Sequence, residues 1–181
     1  LLKNDIQTDF ILLESDLIYE KQALWETIDH IEKNVVLSSD ITNFGDEVFI
    51  QTNTLGYLET MDKDRSSLTV DSVLVGINKV SLNTYQTMVT NYEKATEHQK
   101  ENQLHYEDLL VRVGKTAPIY VHKVPSLLWM EIDDEDHLSR AKTEVYPAIQ
   151  KKDHHSKVKR NVLLNPGPAT TTDSVKYAQV H

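Results

Sequence analysis

Two short apolar runs that each end in carboxylate side chains constrain this sequence more than any other feature. Residues 12–16 read Leu-Leu-Glu-Ser-Asp, and residues 129–133 read Trp-Met-Glu-Ile-Asp. A short apolar run that ends in an acidic break is typical of a buried parallel strand. Ligands of α/β sheets bind beyond the carboxyl ends of the strands. We therefore predict an α/β fold in which neighbouring strands bring these acidic ends together.

The rest of the chain predicts a mixed, mostly parallel sheet with flanking helices. The extended segments between residues 46 and 80 are predicted to form an antiparallel insertion or hairpin. Ser81 is a good N-cap for a long helix, and Pro147 is expected to kink the last helix or to end it early. Strands are predicted at 10–19, 35–37, 47–50, 56–61, 73–77, 119–124 and 127–133, and helices at 20–33, 81–103, 105–111 and 136–151.

Composition excludes several classes of function. The formal net charge of −9 argues against nucleic acid as a partner, because phosphate contacts need a positive surface. The chain has no cysteine, which excludes disulfides, zinc–thiolate sites and thiol catalysis. No apolar run approaches the roughly 20 residues of a membrane span. We therefore predict neither a nucleic-acid nor a membrane partner, and a cytoplasmic location.

The acidic run ends suggest a magnesium site. Asp16 and Asp133 could together hold one Mg²⁺, because this ion prefers hard oxygen ligands and commonly takes one or two carboxylates plus phosphate and water. In phosphoryl or nucleotidyl transfer, such an ion neutralises charge at the attacked phosphorus and at the leaving pyrophosphate. The alternative is that these acids end their strands and cap the helices that follow.

Four segments resemble one enzyme class. Residues 10–20 are similar to the metal-binding strand of small sugar-phosphate and phosphocholine nucleotidyltransferases, and residues 75–81 (Val-Gly-Ile-Asn-Lys-Val-Ser) resemble their central strand. Residues 105–107 and 129–141 resemble their closing segment. The resemblance implies a Rossmann-like nucleotidyltransferase domain over residues 1–150, with its N-terminal third missing, because nothing here matches the family's Gly-rich loop.

The tail has a different resemblance. Residues 161–180 are similar to the opening of 2-aminoethylphosphonate–pyruvate transaminases, which are class V pyridoxal-phosphate enzymes. Residues 151–160 carry five basic side chains and two histidines, which is typical of a solvated linker. We therefore predict a partial nucleotidyltransferase domain at 1–150, a linker at 151–160 and the start of an aminotransferase domain at 161–181. Pyridoxal phosphate would bind only farther downstream, in a domain that could also form homo-oligomers.

Both pieces occur in this order in bifunctional phosphonate cytidylyltransferase–transaminase proteins, which the chain resembles. The resemblance implies Mg²⁺-dependent transfer of CMP from CTP to 2-aminoethylphosphonate, or to a phosphocholine-like acceptor, with release of pyrophosphate. Asp16 and Asp133 would be the catalytic metal ligands. Candidate substrate contacts are Tyr106, Glu107, Trp129 and Glu131 around the amine, and Lys79 at a phosphate.

Two other interpretations remain open. The chain could be a non-catalytic phosphate-ligand-binding or docking module attached to a pyridoxal-phosphate transaminase. It could also belong to a nucleotidyltransferase for another sugar or alcohol phosphate with a different base. If the chain is part of a cytidylyltransferase, we expect the 181 residues to be inactive alone, because nothing in them would bind the triphosphate.

Overall fold

The fold combines β-strands in two sheets with flanking α-helices. The computed structural model describes residues 5–42, 45, 47–98 and 104–155. Its strands are β1 Phe10–Leu13, β2 Leu17–Tyr19, β3 Val35–Ser39, β4 Phe49–Thr52, β5 Leu58–Asp62, β6 Ser72–Val80, β7 Tyr120–Val124 and β8 Trp129–Glu131. Its helices are α1 Lys21–Ile28, α2 Leu82–His98, α3 Tyr106–Gly114, α4 Glu135–Arg140 and α5 Tyr146–His155, with a 3₁₀ turn at Arg65–Ser67 and a π-helical turn at Ala141–Val145.

The main sheet has six strands and is built on β6. Its order is β5-β4-β6-β3-β7, and β1 pairs with β6 outside this path. β3 lies along one edge of β6, while β4 and β1 pair with opposite ends of its other edge. β2 and β8 form a separate two-stranded antiparallel sheet. The chain between β1 and β2 therefore crosses from one sheet to the other.

The sheet is mixed, as the sequence predicts, but it is mostly antiparallel. Among the described strands, β3 and β7 form the one parallel pair. The apolar run at 10–19, predicted as one buried parallel strand, is split into β1 and β2, which are both antiparallel to their partners. An apolar run reports burial, which both strand directions provide, so it could not fix the direction. The predicted antiparallel hairpin is confirmed by the pairing of β4 with β5.

Apolar side chains cover both faces of the sheet. Side chains that alternate along β6 enter opposite layers, as the two-residue period of a strand requires. β3 is buried along its whole length, because it lies between these layers. One layer packs beneath α2 and α3, with Val36, Ile50, Leu58, Leu74, Val80, Met88, Leu109, Leu110, Val113, Ile119 and Val121. The other contains Ala23, Leu37, Phe49, Val73, Val75, Ile77, Val124, Leu127 and Trp129.

Local signals set the helix ends. Ser81 is the predicted cap of α2, and its Oγ accepts the backbone N–H of Thr84 at 3.3 Å. α3 ends at Gly114, also as predicted. The predicted last helix is instead two α-helices joined by a π turn that ends two residues before Pro147. Proline and π-helical turns are both recognised causes of kinks in a helix. No helix within the described ranges is both long and apolar enough to cross a bilayer.

A buried ion pair fixes α5 to the rest of the molecule. The carboxylate of Glu20 is only 1% exposed, and it accepts the Lys152 ammonium at 2.7 Å and the Leu128 N–H at 2.9 Å. Residues 151–155, predicted as solvated linker, are helical, and the side chains of Lys152 and Asp153 are partly buried. The rest of the predicted linker and residues 161–181 lie outside the described residues, so the division into domains stays a prediction.

β6 contains a bulge at Gly76. Between the pairs Val36–Asn78 and Ser38–Leu74, β6 advances four residues while β3 advances two. Gly76 has a φ of +81°, a conformation that side chains other than glycine rarely adopt. A Cβ atom at this position would also lie 2.6 Å from Cδ of Glu14. Position 76 therefore requires glycine for two reasons. The backbone has a positive φ, and the carboxylate of Glu14 occupies the space that a side chain would need.

We expect Gly76→Ala to lower the free energy of unfolding by about 1–3 kcal/mol, because it combines a strained φ with a clash. Urea unfolding of the variant measures this loss. Gly114→Ala is the matched control: its Cβ would meet nothing closer than 3.6 Å, and Gly114 does not have positive φ. It should stay within about 1 kcal/mol of the natural chain. Equal stability of the two variants would contradict the constraint at Gly76.

A second expectation concerns pH. The ring of His30 stacks on Tyr120 at 4.9 Å between centroids, and its Nδ1 accepts the N–H of Glu32. Burial, and next the charge of His122, hold the pKa of His30 below its usual value. The unfolded chain therefore binds a proton at this residue before the folded chain does. The free energy of unfolding should fall as the pH drops below about 6.5 toward the lowered pKa.

The His30→Gln variant tests this linkage, because it removes the titrating group. Denaturant unfolding is measured for both chains across the same pH series. The difference in stability between them should shrink as the pH falls through this window. Parallel stability profiles would show that His30 does not contribute to the pH dependence.

Candidate active site

Three carboxylates meet where the two sheets adjoin. Glu14, Asp16 and Glu131 each offer an oxygen within 4.8 Å of an oxygen from the other two, and we call them the acidic cluster. Glu14 and Asp16 lie in the crossing between β1 and β2, and Glu131 ends β8. Pairing of Leu17 with Glu131 holds the two segments side by side. The two acidic runs therefore meet, through an antiparallel pair in the small sheet.

Glu14 is fixed by contacts on several sides. Its backbone N–H donates to the Gly76 carbonyl at 3.0 Å, and its side chain rests against the same glycine. The hydroxyl of Tyr106 donates a short hydrogen bond to its carboxylate. Burial raises the pKa of Glu14, and the nearby negative charges of Glu107 and Asp16 add to this effect. The hydrogen bond from Tyr106 acts in the opposite direction.

A buried polar network continues from Glu14 into the sheet. The side-chain amide of Asn78 donates to the Tyr106 hydroxyl oxygen at 3.4 Å. Because the tyrosine proton goes to Glu14, its oxygen can only accept from Asn78, which fixes the orientation of the amide. Asn78 is fully buried, and its Oδ1 has no hydrogen-bond partner among the described residues. The buried Oε2 of Glu107 has no partner there either.

Helix α3 delivers two of these groups. Tyr106 and Glu107 form its first turn, and the carboxylate of Asp108 accepts the backbone N–H of His105 to close that turn. Helix starts favour acidic side chains, and the negative charge of Glu107 in this turn acts on Glu14. Burial, followed by the charge of Glu14, raises the pKa of Tyr106, so this hydroxyl keeps its proton and remains a donor.

The donor set of the acidic cluster fits a hard divalent cation. All three groups are carboxylates from separate positions, and Mg²⁺ is bound in proteins by oxygen ligands of this kind. The unpartnered oxygens of Asn78 and Glu107 are acceptors, and an unsatisfied buried acceptor costs about 1–3 kcal/mol.

The sequence-predicted site residues divide into two groups. Asp16, Glu131, Tyr106 and Glu107 belong to the cluster or its network. The other three predicted residues, Asp133, Trp129 and Lys79, have different surroundings.

The exposed carboxylate of Asp133 is not a member of the acidic cluster. It lies 3.4 Å from the imidazole Nδ1 of His137, at the start of α4. The ring of Trp129 is 7% exposed in the apolar layer, where its N–H donates to Ser39 at 2.8 Å. The ammonium of Lys79 donates to the carbonyls of Ile28 and His30, at the C-terminal end of α1. These contacts orient Trp129 and Lys79, and their assignment as substrate contacts stays a prediction.

Sequence reasoning missed Glu14, Asn78 and Gly76. Glu14 and Asp16 are two residues apart, so an extended chain places them on one side, and this spacing was a usable signal. An isolated glycine within a strand pattern indicates a bulge or a close approach, which is what Gly76 provides. Nothing local marks Asn78, because its partner Tyr106 is 28 residues away in the chain.

Solved structures of low sequence identity share this fold. An inositol-1-phosphate CTP transferase from T. maritima superposes with a TM-score of 0.61 at 14% identity, over 81% of this chain and 56% of that one. A CTP:phosphocholine cytidylyltransferase from Streptococcus pneumoniae gives 0.53 at 15% identity, over 73% and 55%. A nucleoside-diphosphate-sugar pyrophosphorylase from Vibrio cholerae gives 0.54 at 10% identity, over 77% and 58%.

The chain spans little more than half the length of each of these structures. No protein-family model matches the sequence. At identities of 10–15% the likeness concerns the fold, and it agrees with the mixed sheet and flanking helices described above. The chain therefore has the Rossmann-like fold of nucleotidyltransferases.

Proposed function

We propose that this chain belongs to an enzyme that transfers CMP from CTP to 2-aminoethylphosphonate, or to a phosphocholine-like acceptor, and releases pyrophosphate. The observation that carries the proposal is the acidic cluster beside the Tyr106 network, within a nucleotidyltransferase fold. Two structures of this fold are named for CTP as the nucleotide, and one of them for phosphocholine as the acceptor. These names support a cytidylyltransferase over other nucleotidyltransferases.

Asp16 and Glu131, with Glu14 beside them, would hold the Mg²⁺ ion. When bound, such an ion neutralises charge on the substrate phosphates and on the leaving pyrophosphate. Asp133 remains the second ligand suggested by the sequence, and it lies two residues beyond Glu131. Separate substitution of Asp133 and Glu131 distinguishes the two ligand sets.

The chain's own residues would position the acceptor. A phosphonate oxygen attacks the α-phosphorus of CTP, a new P–O bond forms, and the bond to the bridging oxygen of pyrophosphate breaks. This step needs little side-chain acid–base chemistry, so orientation of the acceptor is the main task of the protein. Tyr106 contributes by holding Glu14 in place through its hydroxyl.

The amine of the acceptor suits the network behind the cluster. A primary ammonium has three N–H donors, and the unpartnered oxygens of Glu107 and Asn78 are acceptors. A charge-assisted hydrogen bond to Glu107 is favoured over stacking on Trp129, because that ring is buried in the apolar layer. A phosphocholine-like acceptor has a quaternary ammonium without N–H donors, so it would interact with Glu107 through charge alone.

The transfer is tested by measuring pyrophosphate release. The assay uses the longest natural polypeptide that contains this chain, in the presence of Mg²⁺. CTP, UTP, ATP and GTP are each paired with 2-aminoethylphosphonate and with phosphocholine. We expect release with CTP, and a loss of about a hundredfold or more in Asp16→Ala, because a metal ion supplies several kcal/mol of charge stabilisation.

Asp136→Ala is the control for this experiment, since Asp136 is an exposed acid on α4 outside the cluster. It should leave the rate unchanged. Glu131→Gln and Asp133→Ala then identify the second ligand, as the variant that loses activity together with Asp16→Ala. Absence of release with every pair of substrates would refute the transferase and favour the interpretation as a binding module.

The amine contact has its own test. Glu107→Gln should raise the KM for 2-aminoethylphosphonate by about tenfold, because it removes the charge from a buried hydrogen bond worth roughly 1.5–3 kcal/mol. The KM for CTP should not change. Ethylphosphonate, which lacks the amine, should be a poor acceptor for both proteins and should not distinguish them.

Glu144→Gln provides the matched control, because Glu144 is exposed, pairs with Arg140 and does not belong to the acidic cluster. It should leave both KM values as they are. If Glu107→Gln weakens use of ethylphosphonate as much as that of 2-aminoethylphosphonate, Glu107 does not recognise the amine.

A further inference from the structure

The outer face of α1 carries large apolar side chains that are exposed. The inner face of this helix packs against the main sheet and buries Ala23 and Thr27. On the outer face, Trp25 is 46% exposed, and Ile28, three residues later, is exposed as well. Ile31, in the turn that follows the helix, is 93% exposed. We call Trp25, Ile28 and Ile31 the apolar stripe. Neighbouring exposed side chains of this kind commonly mark an interaction surface.

The chain leaves α5 at the beginning of this stripe. Lys21 lies four residues before Trp25, so the two residues share a face of α1. The backbone N–H of Lys21 donates to the carboxylate of Asp153 at 3.3 Å, and its ammonium lies 3.9 Å from that carboxylate. Asp153 is two residues before the end of α5 at His155. The segment that follows α5 therefore starts beside the first turn of α1, at one end of the apolar stripe.

The segment after α5 is long enough to cover the stripe. α1 has eight residues, so it is about 12 Å long at a rise of about 1.5 Å per residue. Residues 156–162 can span up to about 23 Å when they are extended. Residues 162–164 can therefore reach Trp25 and Ile28 while α5 stays in its place.

The composition of the segment also suits this surface. Residues 162–164 read Val-Leu-Leu, and residues 157–160 read Lys-Val-Lys-Arg, with three basic side chains. The acids Glu26, Asp29 and Glu32 lie on α1 and in the turn after it. Opposite charges attract each other over about 8–10 Å at moderate ionic strength. The basic side chains therefore favour a position of the segment along α1, where its apolar residues meet the stripe.

We propose that residues 162–164 dock on the apolar stripe and cover Trp25 and Ile28. The predicted aminotransferase segment at 161–181 would then be held against α1 from its first residues. This inference goes beyond nucleotidyl transfer and does not rest on it, since the stripe is not part of the acidic cluster.

The size of the stripe favours a segment of the same chain over a second copy. A stable interface between separate proteins buries about 1,200–2,000 Å². Three exposed side chains offer far less than this area. A tethered segment needs less contact, because its effective concentration is in the millimolar range.

Disulfide trapping tests the contact in the longest natural polypeptide that contains this chain. Ile28→Cys and Leu163→Cys are combined, and the link is identified from its tryptic peptides after mild oxidation. Leu55→Cys with Leu163→Cys is the matched control, because Leu55 is an exposed apolar residue on the turn between β4 and β5. We expect at least about tenfold more link with Ile28→Cys than with Leu55→Cys, because docking raises the effective concentration at the stripe alone.

The geometry of a disulfide is specific, so two further registers are tried. Val162→Cys and Leu164→Cys are each combined with Ile28→Cys. Equal yields with Ile28→Cys and Leu55→Cys in all three registers, or no link in any of them, overturn the proposal. A mixture of isotope-labelled and unlabelled chains identifies the source of each link. Links that join a labelled to an unlabelled chain show that a second copy occupies the stripe, and they also overturn the proposal.

The exposure of Trp25 gives a second measurement. Its fluorescence is obtained as the difference between the natural chain and Trp25→Phe. Leu163→Asp should increase the quenching of this signal by acrylamide, because a charge is costly in an apolar contact and the segment would leave the stripe. Thr171→Asp, which adds the same charge outside the apolar run, should not change it. Equal quenching in the natural chain and in Leu163→Asp would show that residues 162–164 do not cover Trp25.

Discussion

The bulge of β6 at Gly76 is the constraint on which the site depends. It separates the part of β6 that pairs with β4 from the part that pairs with β1, and it allows a carboxylate to rest on the strand. Glu14 occupies that place, and the chain then leaves the main sheet to form β2. The pairing of β2 with β8 brings Glu131 to Asp16. One glycine thus connects the topology of the sheet with the geometry of the acidic cluster.

The polar network around Tyr106 lowers the free energy of unfolding, because it is buried beside an apolar layer. Two buried acceptors that have no hydrogen-bond partner among the described residues each cost about 1–3 kcal/mol. The two apolar layers offset that cost, because burying one large aliphatic side chain contributes about 1.5–3 kcal/mol. Groups that lower stability in this way are common at binding sites, where the ligand completes the hydrogen bonding.

Local sequence patterns predicted those features of the fold that depend on residues close together in the chain. The buried β3, the β4–β5 hairpin, the cap at Ser81 and the meeting of the acidic runs all follow from hydrophobic period, turn residues and capping. Strand direction and the partners of charged side chains did not follow, because they depend on contacts distant in sequence. Lys152 appeared to be part of a solvated linker, yet it neutralises Glu20 across 132 residues. Lys79, predicted to contact a phosphate, donates to carbonyls at the end of α1, a pairing that no local pattern indicates.

Under the proposed function, the charges around the acidic cluster favour an acceptor with a cationic end over a plain sugar phosphate. The negative charges of Glu107 and Asp16 both act on Glu14, where they raise its pKa, so a positive charge placed among these groups would be stabilised. The hydroxyl groups of a sugar could donate hydrogen bonds to Glu107 and Asn78, but they bring no charge. A charge-assisted hydrogen bond is roughly twice as strong as a neutral one. Discrimination between acceptors would therefore come from the charge of the network behind the metal ligands.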